Sequence, residues 1–98
     1  MRFARNVHFQ IKSGKEQEYT SLFEKDVLPM LRKQSGFLEE VTLVNKKGAH
    51  SISLWDNRQN ADTYQTATYP QVLAKLTTVI EGTPTIETYE NATSYARA

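Results

Sequence analysis

Few residues in this chain are of a type that does chemistry. Two imidazoles, His8 and His50, and one indole, Trp55, stand among tyrosines, and there is no cysteine. Without thiols there can be no disulfide, thiolate metal site or sulfur nucleophile. His8 lies in the middle of an alternating run, "NVHFQI", where a neutral imidazole could accept a phenolic proton. Ser51, Ser53 and Trp55 alternate along "SISLW" and so project from one side of an extended segment. Asn6 shares the parity of His8, and Tyr64 and Tyr69 follow the tryptophan into a helical region. The expected constellation is therefore His8 and Trp55 as catalytic groups, with Asn6, Ser51, Ser53, Tyr64 and Tyr69 binding a substrate. Each residue also has a plainer role: Trp55 as interface or barrel packing, His8 as a hydrogen-bonded interface histidine, and the tyrosines as core. The two histidines have neither i, i+4 nor His-x-His spacing, and strand parity is expected to keep them apart, so no metal site is expected. Glu39 and Glu40 point to opposite faces, against a paired-carboxylate site. No phosphate loop or nucleophile elbow is present.

These residues must be held by elements that hydrophobic periodicity makes visible. Phe3, Val7, Phe9 and Ile11 alternate with polar residues, the signature of a half-buried strand. Ser13 to Glu16 has capping-box spacing, and Tyr19, Leu22, Phe23, Val27, Met30 and Leu31 then fall on one helix face. Pro29 removes a hydrogen bond to the Lys25 carbonyl, so a kink or restart is expected, with the helix ending before Gly36. Residues 37–46 and 49–56 read as a hairpin turning at Lys47 and Gly48. That pairing sets Leu43 against Ile52 and Val41 against Leu54 on one side, expected to face the helices with Val7, Phe9 and Ile11. Trp55 then belongs to the opposite, more polar side. After a cap at Asp56 or Asn57 comes a helix broken at Tyr69 and Pro70. Val72, Leu73, Leu76, Val79 and Ile80 form its stripe, Gly82 its cap and Pro84 its stop. A last strand is expected over 85–95. Arg58 and Asp62 form an i, i+4 pair.

The order strand, helix, strand, strand, broken helix, strand predicts an α+β ferredoxin-like plait over a single domain, 1–98, with the first and third strands central. Its uncovered side carries Leu38, Val44 and Trp55, so a second copy of the chain is expected to cover it. Twelve basic against eleven acidic residues leave a net charge of +1, giving no electrostatic footprint for nucleic acid or anionic lipid. An RNA-recognition plait would also need a basic-Gly-aromatic signature, which "AHSISLWD" lacks. No stretch has the length or apolarity of a signal core or membrane span, and a cytoplasmic protein is expected.

Four segments in order, "VHFQIKSGKEQEY", "VLPMLRKQSGF", "SLWDNRQNADTY" and "TPTIETYE", span residues 7–90. Together they resemble the antibiotic biosynthesis monooxygenase-like domains of the dimeric α+β barrel superfamily. The resemblance implies a homodimer whose sheets close a barrel. It also implies one of several activities: cofactor-independent oxygenation of phenolic compounds, haem degradation, or small-molecule binding without catalysis. Haem degradation is disfavoured. Its strand asparagine falls on Val7, with Asn6 one residue off, Tyr64 stands near its helical tryptophan, and no histidine lies at 74–76 to ligate iron. Against the cofactor-free oxygenases, Trp55 matches the strand-end tryptophan, while Ser51 and Ala61 replace an asparagine and a tyrosine. The resemblance thus implies a cofactor-independent monooxygenase acting on a small aromatic or quinone-type ligand, or a non-catalytic binding dimer.

Overall fold

A computed structural model describes residues 2–97. Met1 and Ala98, the ends of the expected domain, lie outside the described residues. Strand β1, Arg2–Ile11, is followed by helix α1, Glu16–Leu22, a π-helical turn, Phe23–Val27, and helix α2, Leu28–Arg32. Then come β2, Phe37–Asn45, and β3, Gly48–Trp55; α3, Arg58–Ala67, and α4, Tyr69–Leu76; and finally β4, Ile80–Ala92. The four strands lie in the order β2-β3-β1-β4 and all pairs are antiparallel, giving the expected ferredoxin-like α+β plait with the first and third strands in the middle. Among the described residues, no helix is long and apolar enough to cross a membrane.

Pro29 acts on the first helix as its chemistry dictates. It cannot donate to the Lys25 carbonyl, and immediately before it the Leu28 amide reaches back five residues to the Phe23 carbonyl. The π turn so formed buries both Phe23 and Val27 against the sheet. The expected capping box does not form: Lys15 holds the cap position with no side-chain hydrogen bond. By contrast, Asn57 caps α3 by accepting the Asn60 amide at 2.9 Å. Gly82 does not cap α4. That helix stops at Leu76, and Gly82 and Pro84 lie inside β4. Gly36 is irreplaceable at the start of β2, because its φ is +80° and an added Cβ would come within 2.2 Å of Asp56 Oδ1.

The sheet departs from the expected facing. The hairpin turns at Lys46 and Lys47, with Asn45 opposite Gly48, so Val41 pairs with Ile52 and Leu43 with His50. This two-residue shift preserves parity within the hairpin. The β1–β3 register reverses its sides, because Asn6 pairs with Ile52 and Val7 with Ser51. Phe3, Arg5, Val7, Phe9 and Ile11 therefore share the helix-covered face with Ala49, Ser51, Ser53 and Trp55. Val41, Leu43, Ile52 and Leu54 lie with Asn6 and His8 on the open face. The indole of Trp55 is wholly buried beneath the helices, not turned outward.

Candidate functional site

The space between the sheet and the helices holds a polar cluster within an otherwise apolar core. Arg5 projects from the centre of β1 and is only 3% exposed. Its guanidinium donates one hydrogen bond to Gln65 Oε1 and lies 5.0 Å from the ring centroid of Tyr64 on α3 and 4.6 Å from that of Tyr69 on α4. Two aromatic faces thus offset part of the desolvation of a buried cation, each worth about 2 kcal/mol in such surroundings. Burial lowers the guanidinium's affinity for its proton, while the neighbouring tyrosines and Glu40 oppose that shift. It remains charged, as arginine does in proteins generally.

Glu40, on β2, supplies the opposing group. Its Oε2 accepts hydrogen bonds from Ser51 Oγ at 2.7 Å and Thr42 Oγ1 at 3.0 Å. Its Oε1 is buried and has no hydrogen-bond partner among the described residues; Tyr19 Oη and Tyr69 Oη share that condition. Burial pushes the Glu40 carboxyl up to about 7, against the pull of the two hydroxyls and of Arg5. The phenols of Tyr19 and Tyr64 are raised by burial, with Glu40 adding to the effect, so both stay neutral across the physiological range.

Trp55 closes the end of the cluster. Its Nε1 donates to Ser53 Oγ at 2.8 Å, and its ring packs 5.1 Å from Tyr64 and 5.7 Å from Phe37. Arg5, Glu40, Ser51, Ser53, Tyr64 and Tyr69 all border one narrow cavity of about 10 Å³, on the order of a single water. Outside it, between the first helix and β2, runs a groove of about 390 Å³, lined in part by Leu28, Arg32 and Phe37. Phe23, from the π turn, and Glu40 border both spaces. A π turn beside a polar cavity is a frequent feature of functional sites.

The expected constellation therefore divides. Ser51, Ser53, Trp55, Tyr64 and Tyr69 come together. His8 and Asn6 lie on the opposite face of the sheet and cannot join them. His8 and His50, expected to stay apart, are cross-strand neighbours with ring centroids 4.6 Å apart, and His50 Nδ1 lies 3.2 Å from Asn6 Oδ1. Two residues were missed. Arg5 has the same parity as Phe3, Val7 and Phe9, so the alternation itself marks it as inward-facing. Glu40 pairs with Ser53, and its burial becomes visible only once the covered face is known. Among the described residues no cluster of three metal-ligating side chains occurs.

No family model and no curated protein matches the chain. Solved structures do. A protein of unknown function from Nitrosomonas europaea superposes with a TM-score of 0.79 at 18% identity, over 99% of this chain and 95% of that one. The monooxygenase of the ActVA-Orf6 gene of Streptomyces coelicolor, in complex with nanaomycin D, gives 0.79 at 16% identity over 98% and 92%. SnoaB, a cofactor-independent oxygenase from Streptomyces nogalater, gives 0.77 at 12% identity over 98% of both chains. The fold is that of the antibiotic biosynthesis monooxygenases. At such identities the likeness concerns the backbone, and the side chains of the antibiotic biosynthesis monooxygenase fold must be read in this chain by themselves.

Proposed function

We propose that the chain is a cofactor-independent monooxygenase for a small aromatic or quinone-type molecule bound between the sheet and the helices. The supporting observation is the Arg5–Glu40 cluster: a buried cation and a half-buried carboxyl with one enclosed, unpartnered oxygen, bordered by Tyr64 and Tyr69, are a costly arrangement for a core to maintain without use. In such a reaction a deprotonated phenolic ring is itself the electron donor to dioxygen. The ring C–H opposite the hydroxyl becomes a carbonyl, the hydroxyl becomes the second carbonyl, one oxygen atom is incorporated and the other leaves as water. Backbone likeness to a cofactor-independent oxygenase agrees with this reading. Oxygen uptake with naphthol and quinol compounds tests it. Uptake that accompanies quinone formation and disappears in Arg5→Met is the expected result. Absence of uptake across such a panel would refute it.

The alternative is a binding protein without turnover, favoured by the small volume of the inner cavity. Ligands that raise the melting temperature without consuming oxygen would establish that alternative. In either case the acting unit is proposed to be a homodimer. Leu43 is 53% exposed and Val41 41% exposed on the uncovered face, beside Ile52 and Leu54, an apolar surface that a second copy would bury.

A further inference from the structure

Resting on the reading that this interior site takes an aromatic small molecule, we propose that Glu40 is its general base and Arg5 the counter-charge. The favoured ligand is then a neutral phenol or enol of about two fused rings. The geometry limits where such a ligand can go. The inner cavity, at about 10 Å³, cannot take a ring, whereas the groove of about 390 Å³ is of the size that holds small ligands. Glu40 and Phe23 belong to both spaces, and Glu40 Oε1 is enclosed, so a ring in the groove reaches that oxygen, and Arg5 behind it, by turning the Phe23 side chain aside at the junction. Ser51 and Thr42 occupy Oε2 and leave the lone pairs of Oε1 free. Arg5 has donated one hydrogen bond, to Gln65, of the five that a guanidinium carries.

The proton passes from the ligand O–H to Glu40 Oε1. The O–H bond breaks, its electron pair stays on the ligand oxygen, and the carboxylate becomes a neutral acid. The site starts with Arg5 cationic and Glu40 anionic and ends with Arg5 cationic and the ligand anionic. Charge is moved and none is created, so the low-dielectric surroundings do not oppose this transfer as they oppose ionising a lone phenol. The roughly thousandfold deficit left between a phenol ionising near about 10 and Glu40 near about 7 must be offset by the free Arg5 donors on the ligand oxygen. The groups that bear on Glu40 are Arg5 from β1, Tyr19 from α1, Thr42 from its own strand, Ser51 from β3 and Tyr64 from α3, with Glu24 and Arg32 along the groove. Arg5 and Glu40 make no direct ion pair among the described residues, which leaves both available to a ligand.

The test is binding of 1-naphthol at pH 8, where a phenolic O–H, ionising near about 10, is neutral in water and Glu40 is ionised. Absorbance follows the naphtholate and a pH indicator follows the solution. Wild type is expected to show the naphtholate band with no proton released, since Glu40 has taken it. Glu40→Gln is expected either to lose the band or to release one proton per ligand bound, and to slow oxygen uptake by about 100-fold. A wild-type band accompanied by one released proton, or a Glu40→Gln protein that keeps the band without release, would overturn the assignment. Should Glu40→Gln fail to fold, Ser51→Ala removes one donor to the carboxylate and should move the acid limb of oxygen uptake to higher pH; an unmoved limb overturns it equally. If wild type binds no naphthol, the aromatic-ligand reading fails first and this one with it. Binding and uptake that survive with the wrong proton count reject Glu40 alone.

Discussion

The two faces of the sheet invert the usual allocation of residues. Beneath the helices lie an arginine, a glutamate and two serines among the aromatics. On the open face lie Val41, Leu43, Ile52 and Leu54, partly or largely bathed in solvent. A sequence shaped only for the stability of one chain would exchange these sets, because buried polar groups cost more than exposed aliphatics. The interior face is thus the one to which the proposed chemistry is assigned, and the open face is the one assigned to the proposed dimer. Local rules that fail in an ordered protein tend to fail at its working parts.

The largest expected contrast comes from truncating one large side chain on each face. Trp55→Ala empties the centre of the aromatic cluster and should cost about 3–5 kcal/mol in denaturant unfolding. Leu43→Ala on the open face should cost under about 1 kcal/mol in the single chain, and its effect should grow with protein concentration as the proposed dimer forms. Equal, concentration-independent costs for the two would erase the distinction.

Next comes the pH dependence of Glu40. Its carboxyl ionises near 4.5 when the chain is unfolded and near 7 when folded. The folded state therefore favours the neutral acid: this contribution to stability is complete below the unfolded value and is lost as pH rises through about 7. The difference is on the order of 3 kcal/mol. Glu40→Gln, which mimics the neutral acid, should be more stable than wild type at pH 8 and near parity at pH 4. Unfolding midpoints at the two pH values check this, and a variant no more stable at pH 8 would contradict it. Such a gain in stability with a loss of turnover is the usual exchange at a working site.

Much of the fold was legible in the sequence. Period-2 runs gave the strands, Tyr69 and Pro70 broke the last helical segment where expected, and Arg58 meets Asp62 at 3.5 Å as its spacing requires. The restart at Pro29 was legible too, though its π form was not. What the sequence concealed was which side of the hairpin meets the helices. Both sides of β2–β3 carry a plausible core, aliphatic on one and aromatic with hydroxyls on the other, and hydrophobicity alone selects the aliphatic one. The choice rests on the pairing of Val7 with Ser51, a long-range register that no local pattern encodes. From that single inversion follow the burial of Ser51, Ser53 and Trp55 away from His8 and Asn6, which keep the open face expected of them, and the unexpected meeting of His8 with His50. Arg5 was accessible by parity alone, since a lone charge within Phe3, Val7 and Phe9 is either an error of alternation or a buried functional group.

Smaller effects sharpen the comparison further. His8→Ala, on the open face, should leave the rate of oxygen uptake within about twofold once dimer content is matched, because among the described residues no hydrogen bond links it to the interior cluster across the sheet. A loss comparable to that of Glu40→Gln would return the chemistry to the open face. Smallest of all, Asp62→Ala on the outer surface of α3 should change stability by under about 0.5 kcal/mol, the usual worth of an exposed helix pair.

The single tryptophan gives the most direct measurement. Its indole N–H contributes one proton resonance, separate from the imidazole signals of His8 and His50. Titration with 1-naphthol, seated in the groove beside Phe37, should shift the Trp55 indole signal through the Phe37–Trp55 ring contact and leave both histidine rings unmoved, placing the ligand on the helix-covered side of the sheet. Movement of the His8 and His50 signals with a stationary indole would put the ligand on the open face and contradict the account.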